Sequence, residues 1–117
     1  MKSLAETAGD LAAAIVAGGC QATADPRRAV TSPLVLVTPP TRDYRTRLDT
    51  FNLMCLAGTT STDLVTLVKL SAVVDDLRAA LPGMIEEARP TTYQLGGPES
   101  TPYPAYACRY AASIPEE

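Results

Sequence analysis

The chain contains no histidine and no tryptophan, and only two of its ten basic residues, Lys2 and Lys69, are lysines. Histidine is the commonest general base and metal ligand, so its absence removes the usual centre of a hydrolytic or metal-dependent site. Neither lysine lies in a recognisable motif, and the glycine pairs at 18–19 and 96–97 do not fit a phosphate-binding pattern. We therefore expect no enzymatic activity and no cofactor or metal.

Cysteine and positive charge are also scarce. The cysteines are odd in number and widely spaced, which argues against a disulfide framework and predicts three small buried side chains, namely Cys20, Cys55 and Cys108. The net charge is −3 and the pI about 4.9, which argues against a dedicated nucleic-acid-binding protein. The apolar stretch 11–17 is too short to span a membrane, so we expect a protein that is cytosolic at synthesis, with no membrane partner.

The length of 117 residues fits one domain, 1–117, and its first third contains clear local signals. Apolar residues at spacings of three and four predict a helix at Leu4–Ala17, with Ser3 as its N-cap and a glycine pair at its end. A short edge strand is predicted at Gln21–Ala24. Next comes Pro33–Thr41, where four apolar residues between prolines predict a strand, Leu34–Val37, that is buried on both faces.

The segment Tyr44–Leu56 has an alternating pattern that changes phase. Phe51 and Cys55 share one parity in the second half, whereas Tyr44 and Leu48 have the opposite parity in the first half. A phase change near Asp49 predicts one long strand with a β-bulge or a strong bend. Alternatively, the first half of the segment projects beyond the domain as an arm.

The strongest helical periodicity lies at Asp63–Leu81, where apolar residues repeat every three or four positions. Ser61 or Thr62 is the predicted N-cap, and Pro82-Gly83 ends the helix. The predicted apolar stripe consists of Leu64, Leu67, Leu70, Val74, Leu77 and Leu81.

Two more strands are predicted at Ala88–Leu95 and Pro104–Ile114, with the loop Gly96–Pro102 between them. The resulting order is α-β-β-β-α-β-β. Short connections favour antiparallel neighbours, and one apolar stripe on each helix favours helices on the same side of the sheet. The predicted fold class is therefore α+β: a small mixed, mainly antiparallel sheet of four to five strands with two helices on one face.

Charged residues cluster beside the proline corner, where Arg42, Arg45 and Arg47 alternate with Asp43 and Asp49. Arginine is suited to ion pairs at interfaces, so this cluster predicts either a protein–protein contact or ordinary solvated charge. The neighbouring aspartates cancel much of the positive field, which disfavours a contact with DNA.

Several short motifs occur together in a fixed order along nearly the whole chain. A short helix leads through Gly-Gly-Cys to Ala-Thr-Ala-Asp-Pro-Arg, and the strand segment reads Pro-Leu-Val-Leu-Val-Thr-Pro-Pro-Thr. A long strand and a long helix follow, and the chain closes with Arg89-Pro-Thr-Thr-Tyr-Gln-Leu-Gly-Gly and then Pro104-Ala-Tyr-Ala. This layout resembles the tail terminator, or tail completion, proteins of long-tailed phages that infect actinobacteria.

The resemblance implies a structural virion protein that forms a hexameric ring. Such a ring caps the tail tube, ends tube polymerisation and joins the tail to the head connector. The implied partners are copies of the same chain, the tail-tube protein and the connector or stopper protein, with DNA only passing through the channel. The implied location is the head-proximal end of the tail in the virion, and the host cytoplasm during assembly.

Within such a ring, two segments are predicted to contact a neighbouring subunit or the tube. One is the arm that carries the charged cluster, and the other is the Pro/Gly loop. The predicted interface residues are Arg42, Arg45, Arg47, Asp49, Gly96, Gly97 and Pro98. Two alternatives remain open, namely another neck component, such as a head-completion or stopper protein, and a small ligand-binding α+β domain.

Overall fold

A computed structural model describes residues 1–27, 32–94 and 100–115, and in these ranges the α+β prediction is confirmed. Two helices and six strands follow one another along the chain. They are α1 (Leu4–Ala17), β1 (Ala22–Thr23), β2 (Leu34–Val37), β3 (Thr41–Asp43), β4 (Leu48–Leu56), α2 (Leu64–Ala80), β5 (Ile85–Tyr93) and β6 (Tyr103–Ser113). The sheet contains one strand more than predicted, namely β3, which lies just before the predicted long strand Tyr44–Leu56.

The strands form one mixed sheet in the order β1-β2-β4-β6-β5, with β3 paired to β4. Among the strands of the described residues, only β1 and β2 run parallel, and all other pairs are antiparallel. The long central strands β4 and β6 pair over nine residues, from Leu48↔Ser113 to Leu56↔Ala105. β5 forms one edge, where the missing N–H of Pro90 does not interrupt a central ladder.

The strand β2 is buried at all four positions, as predicted from its apolar sequence. One face of β2 packs under both helices in the main core, which also takes residues from β4 and β6. The other face joins a smaller cluster on the opposite side of the sheet, formed by Leu34, Leu36, Leu56 and Ala105. Both helices therefore cover one face of the sheet, as expected.

The predicted long strand at Tyr44–Leu56 is correct for Leu48–Leu56 and wrong for residues 44–47, where the chain turns back on itself. β3 and β4 form an antiparallel hairpin in which Arg42 pairs with Asp49. The Asp43 carboxylate accepts the backbone N–H groups of Arg45 (2.9 Å) and Thr46 (3.2 Å). Arg47 takes a left-handed conformation with φ of 60°. The apparent phase change is therefore a turn, and Asp49 has the same parity as the buried Phe51.

Both helices begin at a side-chain cap. In α1 the Ser3 Oγ accepts the N–H of Glu6 at 3.1 Å, and the helix has the predicted bounds. In α2 the cap is Asp63 rather than Ser61 or Thr62, since its Oδ1 accepts the N–H of Thr66 at 2.9 Å. The pKa of Asp63 is lowered because this backbone N–H and neighbouring hydroxyls stabilise the carboxylate.

The C-terminal ends of the two helices meet at a glycine. A Cβ at Gly18 would lie 2.8 Å from the Cβ of Ala80 and 2.9 Å from its Cα. Contacts this short do not occur between carbon atoms of real side chains, so only glycine lets α1 and α2 approach this closely. Gly18 therefore serves both as the C-cap of α1 and as the packing contact with α2.

Candidate functional site

The charged cluster folds into a buried ion pair rather than a projecting arm. Arg42 donates from Nε to Asp49 Oδ1 (2.7 Å) and from Nη2 to Asp49 Oδ2 (2.9 Å), which makes the pair bidentate. The two side chains are only 4% and 1% exposed. The hydrogen bond to Asp49 raises the pKa of Arg42, so the guanidinium stays charged throughout the accessible pH range.

The remaining guanidinium donors of Arg42 reach the N-terminal segment. Nη1 donates to the Lys2 carbonyl oxygen at 2.7 Å, and Nη2 donates to Thr7 Oγ1 at 3.1 Å. The ion pair therefore ties the β3–β4 hairpin to the first turn of α1. Because Arg42 and Asp49 are occupied inside the subunit, they do not offer their charges to a neighbour.

The other two arginines of the cluster lie in the turn of the hairpin and are exposed. Residues 44–48, here called the hairpin tip, contain Tyr44, Arg45, Arg47 and Leu48. Tyr44 is 65% exposed and Leu48 is 41% exposed, so the tip combines cationic and apolar surface. The predicted contact loop cannot be compared in the same way, since Gly96, Gly97 and Pro98 lie outside the described residues.

A second exposed surface, missed by the sequence analysis, lies on the N-terminal half of α2. The buried residues of α2 are Thr66, Leu70, Val73 and Leu77. Leu70 and Leu77 were predicted to be buried, but Leu64 and Leu67 of the predicted stripe are exposed. Four apolar residues point away from the sheet and form a surface here called the α2 patch: Leu64 (73% exposed), Val65 (62%), Leu67 (46%) and Val68 (61%).

The size of the α2 patch follows from ordinary burial energies. Burying a valine or leucine side chain stabilises a protein by about 1.5–3 kcal/mol. At about 25 cal/mol per Å² of apolar surface, this energy corresponds to a side-chain area of roughly 60–120 Å². At about 60% mean exposure, the four side chains leave on the order of 150–300 Å² of apolar surface open. An apolar patch of that size is within the range that single subunits ordinarily expose, so its area alone does not mark an interface. What distinguishes it is that four large apolar side chains lie together in the first two turns of α2.

The sequence contained a signal for this patch. Leu64-Val65 and Leu67-Val68 are adjacent apolar pairs, and neighbours on a helix point about 100° apart. One face cannot bury both members of each pair, so some of these side chains had to remain exposed in the subunit.

A cavity beside the ion pair lies between α1 and the sheet. It has a volume of about 220 Å³ and is lined by Leu11, Phe51 and Tyr110 below a rim that includes Asp10. Cavities that enclose small-molecule ligands typically measure about 300–1,000 Å³. A shallow groove of about 420 Å³ on the opposite sheet face is lined by residues such as Met54 and Arg89. Neither recess brings together a set of reactive side chains.

The three cysteines are buried free thiols, as predicted. The sulfurs of Cys55 and Cys108 lie 3.8 Å apart, but Cys55 pairs across the sheet with Tyr106, and Cys108 pairs with Leu53. At 3.8 Å the two sulfurs are not bonded, since a disulfide bond is about 2.05 Å long. The hydrogen bond with Cys108 and burial raise the pKa of the Cys55 thiol, which makes it unreactive.

Within residues 1–27, 32–94 and 100–115, no three histidine, cysteine or acidic side chains come together as a metal site would require. In the same ranges, neither helix has the length and apolar character needed to cross a membrane. Comparison with protein-family models, with curated proteins and with solved structures finds no match for this chain.

Proposed function

We propose that this chain is a structural virion protein whose copies form a ring that caps the tail tube of a long-tailed phage. The proposal rests on the resemblance in sequence layout, joined to the surfaces described above. In this role the ring ends tube polymerisation and offers its other side to the head-to-tail connector. Its partners are further copies of itself, the tail-tube protein and the connector, and its work is assembly rather than catalysis.

The observation that carries the proposal is the position of the two exposed surfaces. The hairpin tip lies at the Leu48 end of β4, whereas α2 begins after Leu56 at the other end. Eight residue steps at about 3.3 Å place these ends of the strand about 26 Å apart. A subunit with different adhesive surfaces at opposite ends associates head to tail, which closes into a ring when the rotation permits.

The net charge of the chain supports a ring that does not bind the DNA passing through it. With a net charge of −3, the subunit lacks the basic surplus that holds phosphate backbones. DNA passing through the centre of such a ring is therefore not gripped, which suits a channel that DNA only crosses.

Light scattering and negative-stain imaging of the purified protein, alone and with tail tubes, test the proposal. We expect rings, hexameric by the resemblance, and rings seated on tube ends that stop further tube growth. Rings that bind the head connector but leave tube growth unchanged favour the alternative of another neck component. A strict monomer that neither binds tubes nor assembles on them contradicts the proposal.

A further inference from the structure

We infer that the hairpin tip of one subunit docks on the outward face of α2 in the next copy of the chain. This inference rests on the proposed ring function and names its contact surface. The occupant is a second copy because both halves of the contact, described below, are present on every subunit and lie at opposite ends of it.

The receiving surface is a stripe along the outer side of α2. Leu64, Val68 and Asp75 are four and seven residues apart, which places all three on one helix face, with Ala72 between them. Lys69 and Arg78 lie on the flanks of this face, so Asp75 is the charge at its centre line. From Leu64 to Asp75 the stripe is about 16 Å long.

The inserted surface matches this stripe in charge and in shape. Arg45 is exposed at the hairpin tip, next to Tyr44, while the nearby carboxylate of Asp43 is held by backbone N–H groups of the turn. Two paired strands are about 4.8 Å apart, so a tip of this kind, with its side chains, fits within a stripe 16 Å long. Tyr44 and Leu48 then cover the α2 patch while Arg45 approaches Asp75.

The areas are consistent with a contact between copies. A standard interface buries about 800 Å² on each partner, with an apolar centre and a polar rim. The α2 patch, at a few hundred Å², provides such a centre but not the whole footprint. The charged residues around the patch and the tip supply the rim.

A charge-swap experiment on the full-length chain tests this contact. Arg45→Glu and Asp75→Arg are each expected to weaken self-association about tenfold, measured by analytical ultracentrifugation over a concentration series. The double variant Arg45→Glu/Asp75→Arg restores the pair with reversed signs and is expected to return within about threefold of the wild type. Arg109→Glu, an exposed arginine on the opposite sheet face, is the matched control and leaves association unchanged.

The outcomes separate this inference from the proposed function. Single variants that associate like the wild type, or a double variant no better than either single variant, overturn the contact even if wild-type rings cap tubes. Wild-type protein that remains monomeric, both free and on tubes, also overturns it. If the double variant regains self-association but the wild-type protein does not cap tubes, the contact is supported and the proposed capping function is contradicted. Circular dichroism of each variant confirms that the fold is retained.

Discussion

The buried pair Arg42–Asp49 provides the sharpest test of how this fold is held together. In Asp49→Ala, the Arg42 guanidinium keeps its bonds to Lys2 and Thr7 but loses both carboxylate oxygens, at 2.7 and 2.9 Å. The guanidinium is then a buried charge without a counter-charge. Removing one partner of such a pair typically destabilises a protein by about 3–5 kcal/mol.

For a domain of this size, that loss corresponds to a fall in melting temperature of about 10–20 °C. Urea unfolding and thermal melts followed by circular dichroism measure it. The double variant Arg42→Met/Asp49→Leu removes both charges and fills the space with apolar atoms, so it is expected to recover most of the loss. The control Glu86→Ala removes a half-exposed partner of Arg109, 3.9 Å away, and is expected to cost less than about 1 kcal/mol.

Two results would refute this reasoning. If the free energy of unfolding of Asp49→Ala is within about 1 kcal/mol of the wild-type value, the ion pair is in contact with water, contrary to the burial of its side chains. If the double variant is as unstable as the single one, the loss comes from distorted packing of the hairpin rather than from an uncompensated charge.

Three further predictions concern the helix ends and the thiols. Gly18→Ala forces a methyl group against Ala80 and is expected to destabilise the fold by about 1–3 kcal/mol in urea unfolding, whereas a smaller effect would mean that α2 can shift. The lowered pKa of Asp63 means that its ionised form stabilises the fold above its unfolded pKa and that this contribution is lost as the pH falls below about 4. The difference in urea midpoint between wild type and Asp63→Asn should therefore shrink from pH 7 to pH 3, and an unchanged difference would contradict the cap. A thiol reagent at pH 8 should leave the native protein unmodified and react with three thiols in urea, while fast labelling of the native protein would contradict the burial of Cys20, Cys55 and Cys108.

Local signals predicted the elements whose ends depend on nearby residues. The bounds of α1 were correct because Ser3 caps its first turn and a glycine pair ends it, and both act within a few residues. The strand β2 was correct because prolines limit it and because four consecutive apolar residues leave no solvent-facing side. The cap of α2 was misplaced by one or two residues because Ser61, Thr62 and Asp63 are all good caps, and tertiary packing selects among them.

The α2 patch could not be assigned from periodicity, because the helix has more apolar residues than one face can bury. Periodicity selected Leu64 and Leu67, but the sheet below buries Thr66 and Val73 instead. The N-terminal half of α2 thus contains apolar residues that the subunit itself does not use. The proposed contact between copies uses this excess. In the sequence, apolar residues that serve such a contact have the same spacing as residues that serve the core.

The hairpin was missed because Asp43 is the only residue at its turn that usually marks one. Residues 44–47 contain no glycine, proline or asparagine, and the turn is instead stabilised by the side chain of Asp43 and the left-handed backbone of Arg47. In one continuous strand, Arg42 and Asp49 would lie about 23 Å apart, and no ion pair could form. In a hairpin they face each other. Opposite charges seven residues apart, placed where the alternation changes phase, therefore favour a turn between them over a bulge. A turn in place of a bulge moves two of the five clustered charges, Arg42 and Asp49, into the interior. The other three, Asp43, Arg45 and Arg47, lie at the exposed turn.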